Sequence, residues 1–302
     1  MLPCTLVYHD GYDLNLGSHV FPSRKYRLVR DRLIADGIAE IGDFVPPDPA
    51  SDEDLLLVHE PGWIERFRAG TLAQTELAAL EIPYSQKMVD AFVLAAGGSI
   101  LAARSALRDG VGCNIGGGFH HAYPGHGEGF CAIHDVAVAI RRMQKDGLIE
   151  RAMVVDTDVH HGNGTAAIFA RDPTVFTLSI HQFHNYPAVK PPSNLDIDLD
   201  DGVGDEEYCS RLNDACRKAM DEFQPQLVMY VAGADPYRED QLGGLALTIE
   251  GLRTRDDLVF AIAREHKAAV ATTFAGGYAR NIEDTVTIHS NTIKAAVDAC
   301  CP

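Results

Sequence analysis

The chain predicts an α/β protein whose parallel sheet is covered on both faces, and three observations carry that expectation. Short, continuously apolar strand candidates alternate with amphipathic helix candidates along nearly the whole chain, the pattern of strands buried on both sides. At 302 residues, 46% hydrophobic and 23% charged, the chain is long enough to bury a large core, and no Pro/Ser-rich linker divides it. One domain over residues 1–302 is expected. Four stretches, VGCNIGGGFHH (111–121), AMVVDTDVHHGNG (152–164), LVMYVAGAD (227–235) and AVATTFAGGY (269–278), each read as a buried strand followed at once by a polar loop. In an open parallel sheet such loops meet in a crevice beyond the carboxyl ends of the strands.

Taken in order, Thr5 to Tyr8 reads as a short strand and Arg24 to Ala35 as a helix ending before Gly37. Leu55 to Val58 (LLLV) reads as a strand, and Pro61 suits the first position of the following helix. Ser85 to Leu107 reads as a long helix stopped by Asp109-Gly110, with an Ala-Gly-Gly-Ser stretch that marks close packing against the sheet. Strand Val111 to Ile115 then opens into a glycine-rich loop, followed by a helix over Ile133 to Met143. The unit repeats as strand Ala152 to Val155, helix Gly164 to Ala170, strand Val175 to Ile180 and helix Asp205 to Phe223. Strand Leu227 to Val231, helix Thr248 to Arg264, strand Ala268 to Thr273 and a helix from Arg280 onward complete it.

Net charge is −17, with no long basic run, which argues against direct nucleic-acid binding. Basic peptides or polyamines fit that charge, as does solubility alone. The N-terminus lacks the basic and long apolar regions of a leader, and no stretch reads as a membrane span, so a soluble cytoplasmic protein is expected. Seven scattered cysteines with no C-x-x-C pair point to reduced thiols rather than disulfides or a cysteine metal site.

In an extended segment Asp156, Asp158 and His160 share one face just past a strand end, a donor set for a divalent cation. Alternatively the two aspartates cap the next helix, though a cap needs one such residue. Asp235 alone reads as a turn residue or cap; with Asp158 and His160 it makes three protein ligands and leaves a fourth position open, as in a catalytic zinc site. No further acidic pair stands beside these three, so one catalytic ion is expected. His120 and His121 follow a flexible glycine run, and Asp156 and Asn163 can accept from their rings. An anionic and a neutral partner would separate the two imidazole pKa values, as an acid and a base require. Tyr278, after Ala-Gly-Gly, either donates to a developing oxyanion or is the satisfied tip of a core residue.

Together GGGFHHA (116–122), GFC (129–131), DTDVHHGNG (156–164), AGADP (232–236), LGG (242–244) and AGGY (275–278) resemble the zinc-dependent histone deacetylase family, in order and over nearly the whole chain. The compact length and the runs EIPYS, HNYP and QLGGLALTIEGLRTRDDLVF look most like class IV and its bacterial relatives. The resemblance implies a three-layer arginase-deacetylase α/β/α fold around a mainly parallel eight-stranded sheet, and amide hydrolysis of acyl-lysine. It implies Zn2+ on Asp158, His160 and Asp235, His121 as general base and acid, His120 with Asp156 as electrostatic partner, and Tyr278 polarising the acyl carbonyl. Gly129 and Phe130 would line the tunnel for the lysine stem, with Tyr186 and Leu242 nearer its rim. The Asp156–His160 loop and Ser179 match positions that hold a structural K+ in relatives.

Two departures stand out. Asn163 replaces the Asp of some classes, which leaves His121 less basic, and His184-Asn185-Tyr186 replaces a phenylalanine-bearing loop. That loop and the glycines of GGGFHHAYPG lead to the expectation of long-chain deacylation at least as efficient as deacetylation. A small-molecule amidohydrolase acting on acetylpolyamines would use the same catalytic residues with acidic groups at the rim, for which Glu239 and Asp240 are the candidates. A catalytically silent acyl-lysine binder would lack a catalytic member, and none is missing.

Overall fold

The computed structural model describes residues 2–300. Its strands are β1 (Thr5–Val7), β2 (Phe44–Val45), β3 (Val111–Asn114), β4 (Ala152–Asp156), β5 (Val175–Gln182), β6 (Leu195–Leu199), β7 (Leu227–Val231) and β8 (Ala269–Thr273). Its α-helices are α1 (Lys25–Ala35), α2 (Asp52–Leu55), α3 (Pro61–Ala69), α4 (Gln74–Leu80), α5 (Gln86–Asp109), α6 (Asp135–Lys145), α7 (Asn163–Phe169), α8 (Asp205–Phe223), α9 (Ile249–Glu265) and α10 (Ile282–Cys300). The strands form one eight-stranded sheet in the order β2-β1-β3-β8-β7-β4-β5-β6, with every pairing parallel. The expected parallel sheet with surrounding helices is therefore present.

The four central neighbours, β3, β8, β7 and β4, are the strands that carry the four polar loops. Their residues are almost wholly buried, as strands covered on both faces must be. Parallel strands point their carboxyl ends the same way, so adjacency in the sheet is what gathers the loops.

Several expectations are corrected. The LLLV run is no strand: Ser51 caps α2 in a reciprocal box with Asp54, and the chain then turns, leaving Leu55 buried and Leu56 exposed. The local cap outweighs the apolar run. The edge strand β6 escaped sequence reading because one face meets solvent, so LDIDL alternates polar and apolar instead of running apolar. The short β2 and α4 were also missed. Helix α5 has the length and apolarity of a membrane span, contrary to the expectation of none; 78% of its apolar window is buried in the protein, where it packs on α6, β3 and β8. Its Gly97 and Gly98 do mark close packing, against the backbone at Asp48 and against Tyr12 and Asn114. Cys301 lies outside the described residues.

Candidate active site

The loop after β4 turns Asp158 and His160 toward the loop after β7, which supplies Asp235. One donor atom from each of the three lies within 4.8 Å of the others, and all three residues are buried. His160 Nδ1 stands 2.9 Å from Asp158 Oδ1 and 3.3 Å from Asp235 Oδ2. Asp235 Oδ1 accepts from the Val159 N–H, but Asp235 Oδ2 is buried with no hydrogen-bond partner. Burial and the neighbouring Asp158 carboxylate push Asp235 up to about 7. Two crowded carboxylates, an imidazole and an orphaned oxygen fit a bound divalent cation. Gly276 covers the cluster with its N–H on Asp158 Oδ2, and a Cβ there would come within 1.9 Å of Asp235 Oδ2.

Beside this cluster the tandem histidines stand with ring centroids 4.0 Å apart. His120 Nδ1 pairs with Asp156 Oδ2 at 2.7 Å, and His121 Nδ1 with Asn163 Oδ1 at 2.7 Å. Burial depresses both, but the Asp156 and Asp158 carboxylates overcome it at His120 and hold it at about 9. At His121 burial, then the positive charge of His120 and His160, outweigh the Asn163 hydrogen bond and the Asp158 charge and hold it well below 6.5. The pair is split as an acid and a base need. Tyr278 is buried beside them, and burial followed by the Asp158 and Asp235 charges raises its hydroxyl well above 10, which keeps its proton in place.

A cavity of about 190 Å³ opens over the cluster, lined by His120, His121, Asp158, His160 and Tyr278 together with Gly129, Phe130, Tyr186 and Leu242. The four residues that the resemblance placed in the tunnel or nearer its rim, Gly129, Phe130, Tyr186 and Leu242, therefore line one space. Asp235 lies beneath it, fully buried, and Asp156 and Asn163 stand behind the histidines.

Sequence reading missed four contributors. Phe21 and Glu81 also line the cavity. Lys25, in the charged run RKYRLVR, is fully buried: its Nζ donates to the Ala275 carbonyl at 2.6 Å amid the rings of Phe21, Tyr26 and Tyr278. Glu128 accepts from Asn163 Nδ2 at 2.6 Å and from the Tyr186 hydroxyl at 2.8 Å. A carboxylate only accepts, so this bond fixes which end of the Asn163 amide faces His121, and hence places the proton of His121 on Nδ1. Of the two acids read as rim selectors, Glu239 is exposed, whereas Asp240 is buried and accepts the N–H groups of Leu242, Gly243 and Tyr278. Asp240 shapes the tyrosine loop instead of meeting solvent at the mouth.

Comparisons with known proteins agree with this geometry. The sequence profile of the histone deacetylase domain matches residues 19–293. An uncharacterized protein of Picosynechococcus is 40% identical over 97% of this chain and 98% of its own. Histone deacetylase 2 of Arabidopsis thaliana is 33% identical over 93% of this chain and 77% of its own. The crystal structure of a histone deacetylase homolog from Aquifex aeolicus superposes with a TM-score of 0.82 at 23% identity, over 97% of this chain and 84% of that one. The chain belongs to the histone deacetylase family of hydrolases.

Proposed function

We propose that the protein is a zinc-dependent hydrolase of short-chain acyl-lysine, with acetyl-lysine of a peptide or protein as its substrate. The observation that carries this reading is the pair of adjacent histidines, one on the Asp156 carboxylate and one on the Asn163 amide, at the base of a tunnel floored by a carboxylate-imidazole-carboxylate cluster. Asp158, His160 and Asp235 would hold the ion, which when bound polarises a carbonyl and makes a water more acidic. His121, with Nδ1 committed to Asn163, presents Nε2 to the cavity and takes a proton from the attacking water. The Tyr278 hydroxyl donates to the acyl oxygen as it gains negative charge, and the charged His120 stabilises the same centre. His121 then passes the proton to the departing nitrogen, so amide and water become free amine and carboxylic acid. Phe130 and Tyr186 would flank the lysine stem. Ser179 pairs in register with Asp156, which supports a structural K+ shared by that loop.

The acyl group is read as short because the open faces of the glycine loop are covered. A Cβ on Gly118 would meet Ala275 at 2.5 Å, Phe119 packs on Phe92 at 4.5 Å between centroids, and the cavity behind Phe119 measures about 10 Å³. That is room for about one water. The covered glycine loop favours an acetyl group over the longer chains expected from sequence. Assaying acetyl-, octanoyl- and myristoyl-lysine on one peptide, beside acetylpolyamines, tests the reading: kcat/KM should fall with chain length and favour the acetyl peptide. Asp235→Asn should lose the catalytic ion and most activity, and full turnover in a chelated, metal-free preparation would sink the proposal.

A further inference from the structure

Outside the catalytic cluster, a second set of metal-ligating side chains meets at the edge of the sheet. His161, the residue after His160, and His181 near the end of β5 are both fully buried, with ring centroids 4.6 Å apart at 77°. One donor atom each from His161, His181 and Asp196 lies within 4.8 Å of the others. Strand register explains the meeting. Residues two apart in a strand share a face, so Ser179 and His181 of β5 stand beside Asp196 and Asp198 of β6, their direct register partners.

The spacing is that of a coordination polyhedron. His161 Nε2 stands 3.2 Å from Asp196 Oδ1, and His181 Nε2 stands 3.1 Å from Asp198 Oδ1. Ligand atoms about 2.0–2.1 Å from a tetrahedral ion lie about 3.3 Å from one another. Two observations set this cluster apart from a pair of ordinary histidine-carboxylate contacts. His181 Nε2 is buried with no hydrogen-bond partner although Asp198 Oδ1 stands 3.1 Å away, an expensive state for a ring nitrogen aimed at the cluster. His181 Nδ1 meets Ser179 Oγ at 2.9 Å, the kind of contact by which a metal-binding histidine anchors its second nitrogen. The carboxylates face outward, with the Asp196 side chain 25% and the Asp198 side chain 53% exposed, so an ion has a polar way in.

We propose that His161, His181, Asp196 and Asp198 form a second, structural site for a divalent transition-metal ion, with two imidazoles and two carboxylates in the closed four-ligand arrangement of such sites. The ion would tie the loop after β4 to the edge strand β6 and so brace the backbone at His160 from the side away from the cavity. It is separate from the ion assigned to Asp158, His160 and Asp235.

Metal content tests it with Zn2+ alone as probe. Protein equilibrated with Zn2+ and desalted should carry two ions per chain in the parent, one in Asp235→Asn, one in Asp196→Asn and none in the double variant. Asp196→Asn keeps an acceptor for the Ser193 N–H and removes the charge, so the strand end should stay folded. As a second readout, Zn2+ should raise the Tm of Asp235→Asn by several degrees and leave the double variant unmoved. Co2+ in Asp235→Asn should likewise give tetrahedral visible bands that His181→Gln abolishes. If Asp196→Asn and His181→Gln retain as much metal as the parent, or if Asp235→Asn carries none, the second site does not exist. If Asp235→Asn alone keeps both ions while Asp196→Asn loses one, the error lies in the catalytic assignment instead.

Discussion

At the scale of single residues, each histidine of the tandem pair is defined by what its Nδ1 meets. His121→Ala and Tyr278→Phe should each lower kcat by at least about a hundredfold with metal content unchanged, because both groups act on charge that develops during reaction. His120→Ala should cost less than His121→Ala; a reversed order in steady-state kinetics would exchange the two assignments. The oriented amide of Asn163 adds a sharper expectation. Glu128→Leu removes the acceptor that fixes the amide, freeing it to present its NH2 to His121, and kcat should fall about tenfold with little change in KM. Glu128→Gln still offers a carbonyl to Asn163 and should recover much of that loss. Equal effects from the two variants would mean that Glu128 acts only through its charge.

Between elements, the site depends on contacts that hold one loop against a distant helix. Lys25 of α1 reaches 250 residues along the chain to the Ala275 carbonyl after β8, beneath the turn that delivers Tyr278. Burial lowers its pKa to about 8, so the ammonium is held at a desolvation cost that the charges of Asp235, Asp158 and Asp240 offset only in part. Lys25→Met should therefore change the urea midpoint little while lowering kcat, since the loop loses its anchor. A large stability loss with kcat intact would assign Lys25 to folding alone. Helix α5 makes the opposite kind of contact. Alanine at Gly97 would gain about 1 kcal/mol of helix propensity, but its Cβ would stand 1.9 Å from the Asp48 carbonyl oxygen. Backbone cannot yield as a side chain can, and Gly97→Ala should destabilise by about 1–3 kcal/mol in denaturant titrations.

Across the whole molecule, buried neutral histidines couple folding to pH. Burial lowers His59 to about 4 and, with nearby positive groups, holds His134 and His289 well below 6.5. An unfolded histidine takes up its proton near 6.5, so between that value and the folded one the unfolded chain binds more protons. Their stabilising effect is complete above pH 6.5 and is lost as pH falls, by up to about 1.4 kcal/mol per pH unit for each group. Tm should drop steeply from pH 7 to pH 5. His289, stacked on Phe274 with neither ring nitrogen partnered, offers the control: His289→Phe should flatten the profile by about one proton's worth. Parallel profiles for parent and variant would show that His289 is protonated alike in both states.

Sequence by itself determined the central half of the sheet and the reacting groups. Each motif is contiguous with the strand that carries it, so His120, His121, Asp156, Asp158, His160, Asp235 and Tyr278 could be placed at strand ends, and parallel strands leave their loops little choice of direction. The family resemblance supplied what contiguity could not, the tunnel residues Gly129, Phe130, Tyr186 and Leu242. Tertiary structure alone decided the rest. Lys25 is one cation of a charged run until α1 lies against the β8 loop, Asp240 looks like a rim acid until it accepts three backbone N–H groups, and Glu128 gains meaning only beside Asn163. The His161-His181-Asp196 cluster depends on an edge strand whose alternation hid it. In each case the deciding interaction joins residues far apart in the chain, and burial, which sets both pKa and packing, is a property of the folded whole.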